Sequence, residues 1–273
     1  MSSPNALKSF EVDAFHRDGY VVRKALFDRD EVAVMNQVIH QDSAIREATY
    51  ARIDSSGAST ELALWFTLGD DVFGAAARSE RVVDSIESVL GGTVCFYHSK
   101  LTLKRPKVGG AWEWHQDFGY WHKNYLYPHM ASVFIAVDPS TRKNGCLQVI
   151  RGSHHIGRID HGTVGGQTGA EMQAVEQAMK VMDHVYIEME PGDALFFHCN
   201  TLHASGRNDS SHSRNVFLSC YNRADNAPYK IGANVSHTSI VKMPDEELKC
   251  YKGKPIDLAG RTFYKPNFPQ AEH

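Results

Sequence analysis

The residues best suited to chemistry lie in two short stretches. His115-Gln116-Asp117 offers an imidazole and a carboxylate two residues apart. In an extended strand that spacing sets both side chains on one face, within reach of a single ion. By itself His-x-Asp recurs by chance, and its alternative is a hydrogen-bonded histidine beside an unrelated acid. The second stretch surrounds His203. The turn-forming run Arg207-Asn208-Asp209-Ser210-Ser211 separates it from a β-type run at Val216, which predicts an antiparallel return with His203 opposite Arg214. Opposed residues bring their Cβ atoms to about 5 Å. Two histidines and a carboxylate with open coordination positions form the facial triad of non-haem Fe(II) oxygenases. A guanidinium beside them suits a co-substrate with a remote carboxylate. 2-Oxoglutarate meets both conditions, because its 2-oxo acid end chelates a metal while its distal carboxylate reaches an arginine.

These residues need a frame. Phe10 to Tyr20 reads as a short helix ending near Gly19, followed by a short strand at Val21-Val22. Val32, Met35, Val38 and Ile39 repeat at helical spacing behind Asp28, a suitable N-cap, and Val82, Val83, Ile86, Val89 and Leu90 repeat it before Gly91-Gly92. The stretch 44–60 is weakly patterned and reads as a loop. After Gly92 come short β-type runs, Val94 to Lys104, Ala131 to Val137, Leu147 to Ile150, Val185 to Met189, Ala194 to His198 and Val216 to Tyr221. Asn144-Gly145 and Pro191-Gly192-Asp193 supply turns between them. A helix over Ala170 to Val181 interrupts the series after the Gly-rich segment Gly162 to Gly169. The pattern predicts a mainly β fold with flanking helices, a barrel or two-sheet jelly roll.

Composition narrows the function classes. The 273 residues carry 29 Lys plus Arg against 32 Asp plus Glu, a net charge of −3, and 42% are hydrophobic. A soluble globular protein is expected, with no electrostatic footprint for nucleic acid or an anionic membrane. The five cysteines are scattered without Cys-x-x-Cys, which favours neither a disulfide framework nor a thiolate zinc site. No apolar run approaches transmembrane length and the first 20 residues lack a signal-peptide pattern, so a cytoplasmic protein is expected. The sequence leaves the oligomeric state open.

The ordered set Trp114-His115-Gln116-Asp117-Phe118, Gly145, Gly152-Ser153-His154, Pro191-Gly192-Asp193, Phe197-His198, His203-Ala204-Ser205, Asn208 and Arg214 resembles the phytanoyl-CoA dioxygenase family, which includes ectoine hydroxylase. The resemblance covers roughly 94–221. It implies a double-stranded β-helix (a cupin-like jelly roll) and an Fe(II)- and 2-oxoglutarate-dependent dioxygenase using O₂. It further implies iron ligation by His115, Asp117 and His203, and binding of the 2-oxoglutarate C5 carboxylate by Arg214 and Ser205. His98, Lys100 and Thr102, which alternate on the first long strand, are implied near 2-oxoglutarate; their alternative is a solvated strand face. Phe118 and Trp121 become candidates for the substrate pocket, against core packing, and Trp121 for a cationic substrate group. His198 is expected on the opposite face from His203, and His122, His129, His154, His155, His161 and His212 on the surface or in loops.

A single dioxygenase domain over 1–273 is expected, with a helical N-terminal layer about 1–92, a β-helix core about 93–225 and a C-terminal extension 226–273. The expected reaction hydroxylates a C–H bond of a small polar molecule, such as an amino acid derivative or an aminoalkylphosphonate like 2-aminoethylphosphonate, releasing succinate and CO₂. The alternatives are a tailoring oxygenase of secondary metabolism and a non-enzymatic cupin-like protein with structural zinc. A structural zinc site has four protein ligands and no open position, so the adjacent arginine favours the oxygenase.

Overall fold

A computed structural model describes residues 6–232, 235–256 and 263–264. The N-terminal part contains α1 (Ser9–Asp18), β1 (Tyr20–Arg23), α2 (Arg29–Gln41), α3 (Ser43–Ala48), β2 (Tyr50–Ile53), β3 (Ser59–Trp65), α4 (Val72–Arg78) and α5 (Glu80–Leu90). Then follow β4 (Val94–Lys104), β5 (Trp112–His115), α6 (Phe118–Trp121), β6 (Met130–Ala136), β7 (Leu147–Ile150), β8 (His161–Val164), β9 (Gln167–Ala170), α7 (Met172–Val181), β10 (His184–Ile187), β11 (Ala194–His198), β12 (His203–Ser205), β13 (Arg214–Arg223) and β14 (Thr238–Ser239).

Helix ends follow the expected local chemistry. Asp28 caps α2 by accepting from the N–H groups of Asp30 and Glu31, and Gly19 and Gly91 end α1 and α5 in the left-handed region. The larger sheet has the order β1-β11-β6-β13-β4-β3-β2, with β14 also on β4, and the smaller has β10-β7-β12-β5. The chain is a mainly β, two-sheet jelly roll with helices on one side.

Strand alternation divides the interior. Leu101 and Leu103 of β4, Val133 and Ile135 of β6, and Phe217 of β13 belong to the core under the helices. Phe134, Leu195, Phe197, Val216, Leu218 and Cys220 point the other way, into the space between the sheets. By the same period of two, Lys100, Thr102 and Lys104 face that inner space.

Two expectations are corrected here. The stretch 44–60 is not a loop: it holds α3, β2 and the start of β3, and β2 pairs with β3 as Tyr50↔Leu62 and Arg52↔Thr60. Four residues with an arginine on the half-buried side give little apolar periodicity, so only an available sheet edge makes them a strand. The layer before residue 92 is accordingly mixed, contributing three strands to the larger sheet. The Gly-rich segment forms the β8–β9 hairpin, whose turn glycines Gly165 and Gly166 both have positive φ. Among the described residues no helix is long and apolar enough to cross a membrane.

Candidate active site

His115 ends β5, His203 begins β12, and the two are direct cross-strand partners with ring centroids 4.0 Å apart. Asp117 is not in the strand. Its backbone is helical, φ −57° and ψ −39°, at the entry to α6. This turn, rather than strand alternation, brings its Oδ1 to 3.9 Å from Nε2 of each histidine. The three candidate ligand atoms lie within 4.8 Å of one another, an arrangement that no other set of His, Cys, Asp or Glu among the described residues shares.

Each candidate ligand is held from behind. The Nδ1 atoms of His115 and His203 lie 2.7 and 2.9 Å from the carbonyls of Glu113 and Thr201. A ring nitrogen facing a carbonyl carries the proton, so both Nε2 lone pairs face the centre. Ser132 Oγ donates to Asp117 Oδ2 at 3.0 Å, leaving Oδ1 for the centre. Burial pushes both histidines below the usual imidazole range, His115 further because His203 is beside it, and this favours the neutral form that ligates metals.

Gln116, fully buried between two of these residues, clamps the turn. Its Nε2 donates to the carbonyls of Gly157 and Asn200 at 2.7 and 2.8 Å, and its Oε1 accepts from Ile159 N–H at 2.7 Å. Its own N–H donates to His161 Nε2 at 2.9 Å. His161 is therefore not a bystander in a loop. Gly119 passes so close that a Cβ there would lie 2.2 Å from the His161 ring.

A narrow cavity of roughly 30 Å³ runs from the two histidines past Lys100, Thr102, Lys104, Ser205 and Arg214, walled by Trp112, Phe134, Leu147, Phe197 and Leu218. Arg214 reaches it by a different route from the expected hairpin. It does not oppose His203: β12 lies in the smaller sheet and β13 in the larger, and the intervening residues cross between sheets. Arg214 instead opposes Lys104. Backbone bonds from Asn208 to Gly109 and from Asp209 to Lys143 hold the crossover. A turn-rich segment looks alike in both connections, which is why the register argument failed.

Arg214 and Lys104 are 2% and 1% exposed. Arg214 Nη2 donates to the Gly145 carbonyl at 2.8 Å, while its Nε has no hydrogen-bond partner. Lys104 Nζ donates to Ser205 Oγ at 2.8 Å and to the Gly206 carbonyl. Burial brings Arg214 down to about 10 and Lys104 well below its ordinary value, the latter helped by Arg214. Thr102 Oγ1 is also buried and unpartnered. Two desolvated cations facing each other are costly unless an anion bridges them. Gly145, at φ +78°, must be glycine, since a Cβ would lie 2.2 Å from the Gly206 carbonyl oxygen.

A profile described as phytanoyl-CoA dioxygenase (PhyH) matches residues 15–216. The chain belongs to the phytanoyl-CoA dioxygenase family. Within the family it is 30% identical over 184 residues to L-proline trans-4-hydroxylase of Streptomyces griseoviridis, covering 58% of this chain and 66% of that enzyme. It is 29% identical to ectoine dioxygenase of Stutzerimonas stutzeri over 79% of this chain and 77% of that enzyme. Its fold is similar to the crystal structure of EctD from S. alaskensis with bound Fe, with TM-score 0.71, 22% identity and coverage of 89% and 90% of the two chains.

Other expected site residues of this family member are placed as follows. Ser205, Thr102 and Lys100 line the cavity, with Lys100 toward the Trp112 ring. His98 does not line it. Its Nε2 lies 3.3 Å from Cys220 Sγ and its ring packs on Tyr97, Phe66 and Trp121. Phe118 and Trp121 are likewise not cavity walls: the helical turn after Asp117 directs them into the apolar core, where Trp121 meets Tyr97 edge-on at 5.2 Å. His198 faces away from the triad, against Phe15 and His154. Lys104, Ser132 and Trp112 stand at the site without having been expected there. Lys104 continues the alternation 98, 100, 102, and Ser132 is the lone polar residue of its strand, so both carried a signal.

Proposed function

We propose that this chain is an Fe(II)- and 2-oxoglutarate-dependent dioxygenase that hydroxylates a C–H bond of a small polar molecule. The observation that carries this reading is a converging His, His, Asp set one cavity away from two buried cations that have no acidic partner among the described residues. His115, Asp117 and His203 would hold the iron on one side, leaving positions for the 2-oxo acid and O₂. Arg214 would receive the C5 carboxylate, with Lys104, Ser205 and Thr102 supplying further hydrogen bonds and charge. Bound iron would supply O₂ activation, with one oxygen atom ending in succinate as 2-oxoglutarate loses CO₂ and the other in the hydroxylated substrate. The protein's part is to fix both reactants and exclude water, for which the apolar walls Phe134, Leu147, Phe197 and Leu218 are suited.

Family membership and the relatives named for proline and ectoine support a compact polar substrate, and an amino acid derivative or aminoalkylphosphonate is our reading of it. We read the whole chain as one catalytic domain. Aerobic incubation with Fe(II), 2-oxoglutarate and a metabolite panel, followed by mass spectrometry, tests the proposal. Succinate formed with a product about 16 Da heavier than its precursor is expected. Tight zinc binding with no 2-oxoglutarate binding would instead favour a metal-binding cupin.

A further inference from the structure

Arg52 is a cation without a counterion beside this site. It stands on the half-buried side of β2, with its guanidinium carbon 5.2 Å from the centroid of the Trp112 ring. Its Nε is buried and has no hydrogen-bond partner. Lys100 Nζ lies over the same ring at 5.6 Å. Trp112 lines the cavity, its ring 6.1 Å from that of His115. The nearby acids are engaged elsewhere. Asp54 accepts from the N–H groups of Ser56, Ala58 and Ala111, and Glu61 pairs with Arg105. Neither Arg52 nor Lys100 has an acidic partner among the described residues.

Charge counting gives this placement a direction, on the dioxygenase reading above. With one 2-oxoglutarate carboxylate at the iron and the other at Arg214 and Lys104, these two negative charges and that of Asp117 fall short of offsetting Fe(II) and both cations, so the filled site keeps a net positive charge. Arg52 and Lys100 then leave the Trp112 side strongly positive. Cation–π contact with a shared ring is too weak to replace a counterion for either. A cationic substrate group on this side would meet two protein cations at the Trp112 ring.

We propose that Arg52, together with Lys100, receives an anionic oxyacid group of the prime substrate, a carboxylate or a phosphonate. This reverses the cationic preference that Trp121 suggested, since Trp121 is a core residue. The guanidinium fork suits two oxygens of one group, and Trp112 gives both cations an apolar backing that keeps water away.

The cobalt(II)-substituted protein, saturated with 2-oxoglutarate under nitrogen, is titrated with acetate and with methylphosphonate while the cobalt absorption is followed. Wild type should bind at least one probe saturably, and the preferred probe identifies the oxyacid class. Arg52→Gln should weaken that binding about 10-fold, and Arg52→Lys should restore most of it. The 2-oxoglutarate affinity of Arg52→Gln should match wild type. Saturable binding of neither probe, or equal binding by Arg52→Gln, overturns the proposal, as does a substrate with no anionic group in the metabolite screen. Failure of cobalt or 2-oxoglutarate to bind wild type overturns the dioxygenase reading instead, and is seen before any probe is added.

Discussion

Arg214 and Lys104 stand directly opposite each other on adjacent strands, both buried. A sheet tolerates such a pair poorly, because like charges at facing positions repel and neither is hydrated. The fold therefore sets two buried positive charges at the end of the cavity away from the triad, where a dicarboxylate would offset them.

Arg214→Leu should weaken 2-oxoglutarate binding roughly 10- to 150-fold, the loss of a charge-assisted pair of about 1.5–3 kcal/mol. Iron affinity should stay near wild type. Thermal shift gives a second readout, since saturation at about 100 times Kd stabilises wild type by about 2.7 kcal/mol. An unchanged 2-oxoglutarate affinity would assign the C5 carboxylate to another cation.

His203→Ala should leave a folded protein that no longer retains iron. The histidine lies 3.9 Å from Asp117 Oδ1, and among the described residues no other imidazole is placed to replace it, His198 being turned toward α1. Metal content after gel filtration and the circular dichroism spectrum check this. A variant that keeps wild-type iron and turnover contradicts the ligand set.

Ser132→Ala should lower metal affinity by about 10- to 100-fold without unfolding the chain, because its hydroxyl fixes which Asp117 oxygen faces the centre. Ser132→Thr, which keeps the hydroxyl, should recover part of the affinity. Competition with a chelator of known affinity measures both. Equal affinities for wild type and Ser132→Ala would make the hydrogen bond incidental.

His198 sets a pH dependence of stability. Burial, reinforced by His154, His129, His16 and His155, lowers its pKa to about 3. Its unfolded value is about 6.5. The folded state thus excludes a proton that the unfolded chain binds, so its contribution is full above about pH 6.5 and is lost progressively as pH falls toward 3, at about 1.4 kcal/mol per pH unit. Denaturant unfolding of the metal-free protein at pH 7, 6 and 5 should show this decline, and His198→Asn should flatten it. A slope identical in the variant would place the proton uptake on the other buried histidines.

Much of the frame was legible in the sequence because its signals are local. The β4, β7 and β11 runs were bounded to the residue, since turn residues such as Gly92, Pro106, Gly145, Gly152 and Gly192 stand beside them, and Asp28, Gly19 and Gly91 cap where their chemistry requires. The triad types were legible through motif order, as were Arg214 and Ser205. What the sequence determined by itself was the set of residue types, their strand faces and their helix ends.

Tertiary structure decided the neighbours. Whether 207–213 returns within a sheet or crosses between two sheets depends on where the flanking strands find partners, and this set Arg214 against Lys104 rather than His203. The helical turn at Asp117 and the burial of Trp121 depend on Gln116 and Gly119 packing against Gly157, Ile159, His161 and Asn200, residues distant in the chain. Arg52 joined the site only because a sheet edge was available to a four-residue strand. Local propensity carries no information about such long-range pairings, because their free energy comes from surfaces that meet only once the chain has folded.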